Sequence, residues 1–464
     1  MDLSRILAAN IDGRTQNTRY RQTQFQKLQA VLVAHIAEIQ DAIYSESGHT
    51  RAEVRAEVVL ALQELRTHFS SLSLEKDLEA EYRISHGKDN LTSARGAGII
   101  YIVPSTHTLF FSVISALSAA LAAGNCVVLE LPQTTSALPA LLRKILPDAL
   151  DHDTFAITLQ RPDASFLSKT LVVAQTGEEY AGLVSPSNLR AVAIVDRTGN
   201  VAEAARALVA ARFALGGRSP YSPDVVLVHE FAMKPFVEAV IQHASKYLAG
   251  ENGEGRSLSR KSGLLESVQK DRTSRVLVSG SNWGIVEVQD RKSPLLQKKI
   301  SEKILLVHPV TSLDDAIDMN TETLAATYAF AAPSSAKYLT QFIDAHISWV
   351  NHVPSDMLIG PALPKNTAPG QTRYTKTQFE VPRPQVITPV VSFVQVILDD
   401  TNKGKADKLW REVIAPLPST KQRPGFKIGF FEQGIITGGL ITLVSLVATV
   451  STLGYYTWTF VRRV

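Results

Sequence analysis

The chain has 464 residues, 45% hydrophobic and 20% charged, with a formal net charge of +4. This balance excludes a disordered chain, and without a basic stripe interleaved with aromatics it predicts no nucleic-acid partner. The single cysteine, Cys126, excludes an internal disulfide and a thiolate metal cluster, and the eleven histidines lack ligand spacing, so no metal site is expected.

In chain order, "MDLSRILAANIDGRTQ" carries an acid at position 2 and no apolar run, so no secretory signal is expected. Residues 17–84 follow a helical period. Phe25, Leu28, Val31, Leu32, Ile36, Ile39 and Ile43 form one apolar stripe, ended by Gly48. "GAGIIYIVPS" reads as a buried strand, "FFSVISALSAALAAGN" as a helix packed on several sides, and "CVVLELP" as a second buried strand. "ALPALLRKILPDAL" is again helix and "TLVVAQTG" strand. "AVAIVD" and "DVVLVHE" begin a second series around the helix "VAEAARALVAARFAL". Strand–helix alternation at this spacing predicts an α/β fold with parallel sheets. A polar, glycine-rich loop is expected over 249–263, late strands in "SWVNHV" and "PVVSFVQVIL", and a polar linker from "DDTNKGKAD".

Residues 434–460 hold 27 residues without a charge, with Tyr455, Tyr456 and Trp458 at one end. About 20 apolar residues cross a bilayer, and amphipathic rings favour its interface. A single-pass transmembrane helix with the globular part cytosolic is therefore expected. Lys421, Arg423 and Lys427 on one side and Arg462 and Arg463 on the other leave orientation undetermined by charge.

The order of segments resembles the aldehyde dehydrogenase superfamily over roughly residues 15–395, nearest the fatty aldehyde dehydrogenase-like branch with its C-terminal membrane anchor. "AALAAGNCVVLELPQ", "TGEEYAG", "ARFALGGRSPYSPDVVLV" and "SPLLQKKISEKILLVHPVTSLDDAI" carry the likeness, in order. The resemblance implies a Rossmann-like cofactor domain with N-terminal helices over 1–195 and a catalytic-type α/β domain over 196–365. It further implies C-terminal strands over 366–397, a linker over 398–433 and the transmembrane helix over 434–460. It implies NAD or NADP as cofactor, and a homodimer through "QVITPVVSFVQVIL".

Family chemistry uses a cysteine thiolate, an asparagine amide on the oxyanion and a glutamate base. Matching the motifs puts Pro220 at the nucleophile position and Thr106 at the oxyanion asparagine, and leaves no glutamate motif between Gly182 and Asp196. At cofactor positions stand Glu130 for the ribose lysine, Gln133 for the ribose glutamate, Gly177, Glu178 and Gly182 in the pyrophosphate turn, and Lys299 for the second ribose contact. A carboxylate at a helix N-terminus competes with phosphate, which predicts weakened cofactor binding at Glu178. Cys126, opening a buried strand, is expected to act as a small hydrophobe. Two readings follow. The first is an anchored family member that has lost thiol-dependent oxidation and serves in scaffolding, ligand holding or partner binding. The second is an oxidoreductase of aldehyde or specialised-metabolite metabolism using a non-standard site, a substrate class suggested by divergent relatives in fungal biosynthetic clusters.

Overall fold

A computed structural model of the chain describes residues 3–178, 180–250, 263, 265, 268, 274–389, 392–398, 403–422 and 429–462. Glu179, residues 251–262 of the glycine-rich loop, and the basic residues Arg423, Lys427 and Arg463 lie outside the described residues. The chain divides into two units, Met1–Thr388 and Pro389–Val464.

The strands of the first unit are β1 (Ala94–Gly96), β2 (Ile99–Val103), β3 (Cys126–Glu130), β4 (Phe155–Thr158), β5 (Leu171–Ala174), β6 (Gly182–Val184) and β7 (Ala191–Val195). They continue as β8 (Val225–His229), β9 (Ser274–Ser279), β10 (Trp283–Val288), β11 (Lys303–Val310), β12 (Ala326–Phe330), β13 (Ser348–Val350) and β14 (Glu380–Pro382). A five-stranded sheet runs β4-β3-β2-β5-β6, parallel throughout. A seven-stranded sheet runs β13-β12-β7-β8-β11-β10-β9, parallel except for the last pair. Strands β2, β7, β8 and β12 are buried at every residue, which is why they read as unbroken apolar runs: helices cover both faces of a parallel sheet. β1 pairs with β14 in a separate antiparallel ribbon.

Helix Leu109–Ala122 is buried all round. Helix Arg51–Ser70, opened by a capping box between Thr50 and Glu53, packs along it. The seam between them is polar. Ser115 donates to Glu64, and the Phe111 N–H donates to Glu57 at 3.3 Å. Burial pushes both carboxyls up to about 7, and pushes the imidazole of His68, on the same face, down to about 4. The expected N-terminal stripe is present but broken: helices Thr18–Ala34 and Ile36–Ser47 meet at His35.

The second unit corrects two expectations. "PVVSFVQVIL" supplies no strand among the described residues; Phe393–Leu398 is helical. β-Branched residues favour a strand only where an edge is available to pair, whereas a helix satisfies its own backbone. The segment read as linker contains helix Lys403–Ile414, in contact with Phe393–Leu398. Helix Phe430–Val461 follows. Its stretch Glu432–Thr459, with mean hydropathy 1.9, is long and apolar enough to cross a membrane.

Candidate functional site

In an open parallel sheet, ligands bind outside the carboxyl ends of the strands where the strand order reverses. Here that point lies between β2 and β5. The loop after β2 holds Pro104, Ser105, Thr106, His107 and Thr108; the loop after β5 holds Gln175 to Gly177. Buried Gln175 stitches the two, accepting from the Ser105 N–H at 3.0 Å and donating to the Ser112 carbonyl at 2.9 Å. Among the described residues no helix lies between Gly177 and β6, so the helix N-terminus expected there to seat a pyrophosphate is absent among them. The two glycines are required by packing instead. Gly177 has φ +80° and a Cβ there would strike Ser187; a Cβ on Gly182 would strike the Val172 carbonyl of β5.

Above the strand ends lies a charge cluster that bridges the crevice. Arg161, after β4, donates to Glu178 at 2.6 Å and lies 3.8 Å from Glu130, at the end of β3. The Tyr101 hydroxyl of β2 bonds Glu130, the Tyr180 hydroxyl donates to Glu178 at 3.1 Å, and the Arg161 guanidinium lies 5.3 Å from the Tyr180 ring centroid. Gln133 is exposed in the loop after β3 and takes no part. Beside β6 opens a cleft of about 360 Å³ lined by Tyr180, Gly182, Leu183, Val184, Pro364 and Lys365.

The loop from Phe213 to Asp224 is held from beneath. Phe213 packs against Trp283 with tilted rings, centroids 5.4 Å apart. Asp224, 1% exposed, accepts from the N–H groups of Ala191 at 2.8 Å and Ile300 at 2.9 Å, from Lys299 Nζ at 3.0 Å and from Arg212 at 3.5 Å. Lys299 Nζ also donates to the Pro220 carbonyl at 2.7 Å. Arg212, fully buried, donates to the carbonyls of Gly217 at 3.0 Å and Ile300 at 2.7 Å, and burial pulls it down to about 10. Lys299, matched by motif to the second ribose contact, is thus engaged by the Pro220 loop as a clamp. Of the two serines near Pro220, Ser219 Oγ accepts from the Tyr221 N–H at 3.2 Å, and Ser222 Oγ donates to the Ala211 carbonyl at 3.0 Å.

Segment 358–374 closes over both loops. The Leu363 N–H donates to Tyr221 Oη at 2.8 Å, and Tyr328 Oη donates to the Tyr221 carbonyl at 2.7 Å. On the other side, the Gly360 N–H donates to Thr108 Oγ1 at 2.7 Å and His107 Nε2 meets the Leu358 carbonyl at 2.9 Å. Arg373, 5% exposed, staples the segment through the carbonyls of Pro361 at 2.7 Å and Ile359 at 2.6 Å. Its guanidinium lies 5.9 Å from the Phe111 ring and 5.8 Å from the Tyr221 ring. Burial pushes His107 down to about 4, so its ring is neutral at pH 7. Thr106 stands exposed at the loop tip.

The family model described as "Aldehyde dehydrogenase family" matches residues 9–164. The chain carries an aldehyde dehydrogenase family domain. It is 26% identical over 367 residues to the rat aldehyde dehydrogenase family 3 member B1, covering 69% of this chain and 76% of that protein. It is 21% identical over 393 residues to a 4,4'-diaponeurosporen-aldehyde dehydrogenase of Staphylococcus aureus, covering 76% and 83%. Among solved structures, substrate-bound AldH of Staphylococcus aureus superposes with a TM-score of 0.68 at 17% identity, covering 88% of this chain and 98% of that one. Glyceraldehyde-3-phosphate dehydrogenase GapN of Methanocaldococcus jannaschii, complexed with NADP, gives 0.64 at 12%, covering 82% and 92%. The aldehyde dehydrogenase fold is thus shown.

A dinucleotide does not fit the residues this aldehyde dehydrogenase domain presents at the crevice. Two carboxylates, Glu130 and Glu178, stand at the strand ends, the nearest cation is engaged by both, and no helix opens between Gly177 and β6 among the described residues. Cys126 is fully buried in β3 with its thiol pushed up to about 12, chiefly by burial, so it offers no thiolate. No cluster of metal-ligating side chains exists among the described residues. The motifs carry the family-matched positions named above. They did not reveal Arg161, Arg373 or the Asp224 clamp, whose only sequence signal is a charged residue inside or beside an apolar run.

Proposed function

We propose that this chain is a membrane-anchored aldehyde dehydrogenase-fold protein that does not oxidise aldehydes through a cysteine thioester and serves instead to hold a ligand or partner at a membrane. The observation that carries the reading is Pro220, an inert ring at the nucleophile position with its carbonyl held by Lys299. Three features support it. Neither neighbouring serine hydroxyl bonds an imidazole or a carboxylate among the described residues. Thr106 replaces the oxyanion amide with a shorter side chain. Glu130 and Glu178, matched by motif to family cofactor positions, are both engaged by Arg161. The cleft beside β6 has the volume of a small-ligand site. Residues 434–460 form the anchor, with the domains over 1–195 and 196–365 on the cytosolic side.

The second reading, an oxidoreductase of hydrophobic aldehydes with a non-standard site, draws support from the relatives named aldehyde dehydrogenases. A thermal-shift titration of the detergent-solubilised chain with NAD and NADP separates the two. A ligand present at 100 times its Kd stabilises a fold by about 2.7 kcal/mol. No shift with either nucleotide, together with no nucleotide-linked turnover of long-chain aldehydes, is expected. Micromolar binding with turnover would establish the second reading.

A further inference from the structure

The second unit presents an apolar surface that its own described residues leave uncovered. In helix Lys403–Ile414, residues Ala406, Leu409, Trp410, Val413 and Ile414 recur at three- and four-residue spacing and share one face. Lys405, Lys408, Arg411, Asp407 and Glu412 take the other. Ala406 and Leu409 are half-buried, as is Val396 of the neighbouring helix Phe393–Leu398. The larger side chains stay open: Trp410 is 61% exposed, Val413 73%, Ile414 60%, and Phe393 75%. A surface of this kind in water needs an occupant.

We propose that helices Phe393–Leu398 and Lys403–Ile414 lie in the interface of the membrane that helix Phe430–Val461 spans, with Trp410, Val413, Ile414 and Phe393 in the acyl boundary. The inference rests on the anchoring reading above. Two observations favour a lipid surface over a protein partner. The polar arc is net basic, with Lys405, Lys408 and Arg411 against Asp407 and Glu412, which suits an anionic headgroup layer. The tether is short: 15 residues, 415–429, separate Ile414 from Phe430. Fully extended they reach about 50 Å, so the helix remains at high effective concentration beside the bilayer its own chain enters. An amphipathic helix held there needs only modest intrinsic affinity to settle with its apolar face about 5–10 Å into the interface.

The test uses the full chain in phosphatidylcholine–phosphatidylserine vesicles. Cys126 is buried, so an engineered cysteine takes a fluorophore selectively. Val413→Cys marks the apolar arc, Lys408→Cys the polar arc and Thr449→Cys the span. Brominated lipids are expected to quench the labels at Thr449→Cys and Val413→Cys and to spare Lys408→Cys, with at least about a twofold difference between the two arcs for an in-plane helix. Omitting phosphatidylserine is expected to weaken quenching at Val413→Cys alone. If Thr449→Cys is quenched while Val413→Cys is not, anchoring stands and the in-plane helix is overturned. A label at Val413→Cys that is shielded from aqueous iodide yet untouched by brominated lipid would place the face on the folded unit or on a second copy, and would overturn the in-plane helix equally. No quenching at Thr449→Cys overturns the anchoring reading, and this inference with it.

Discussion

The two loops that face the crevice are held in different physical ways. The Pro220 loop keeps a rigid support: Asp224, Arg212 and Lys299 form a buried charge network with backbone donors and acceptors around it. Its tip carries Pro220, where the motif match sets the family nucleophile. At the ends of β3 and β5 the support is lighter: no helix lies between Gly177 and β6 among the described residues, and the space is spanned by a partly exposed arginine, 45% accessible, between two glutamates. A buried network is costly to break and leaves the fold dependent on it. An exposed bridge contributes little to stability.

The largest expected effect tests the first half of that contrast. Asp224→Ala leaves Arg212 and Lys299 buried without their counter-ion, and is expected to lower stability by about 3–5 kcal/mol, read by thermal or urea unfolding of the solubilised chain. A loss below about 1 kcal/mol would show the network to be incidental.

Next comes the seam behind the Thr106 loop. Glu57 and Glu64 have folded values raised from 4.5 to about 7, so the stability they contribute is present below their unfolded range and is lost as pH rises through 7. His68 and His107 are lowered from 6.5 to about 4, so theirs is present above 6.5 and is lost as pH falls toward 4. The two trends oppose each other between pH 4.5 and 6.5, and a flat profile is expected there. Glu57→Gln should tilt it, with stability falling toward acid by roughly 1–3 kcal/mol, whereas His68→Leu should tilt it the other way. Parallel profiles for all three proteins would contradict the assignment.

Smaller still, Arg161→Ala is expected to change stability by no more than about 1 kcal/mol, because the bridge is solvent-screened. The smallest effect is on turnover. Pro220→Cys should create a thiol that alkylates with iodoacetamide yet produces no NADH or NADPH from aldehyde, since neither base nor cofactor contact accompanies it. Turnover in this variant would show that the crevice admits a dinucleotide despite Arg161.

Much of the architecture is legible because parallel strands buried on both faces must be continuous apolar runs: "IIYIV", "CVVLE", "AVAIV" and "VVLVH" each form one strand. Pro220 and Thr106 are located by the residues around them, whose spacing survives. Lys299 is easily misread because a lysine beside a second lysine looks solvated until the fold brings Asp224 to it across 75 residues of sequence. The run "PVVSFVQVIL" misleads because β-propensity presumes a pairing edge, and among the described residues Phe393–Leu398 forms a helix.

Local composition alone determined the alternating α/β pattern, the 27-residue apolar segment and the absence of a thiol at position 220, since each is a property of consecutive residues. Tertiary structure decided which charges meet. Arg161 is closed across the strand ends by two glutamates, and Arg373 is pinned between Phe111 and Tyr221, because parallel crossovers bring loops distant in sequence to one end of a sheet.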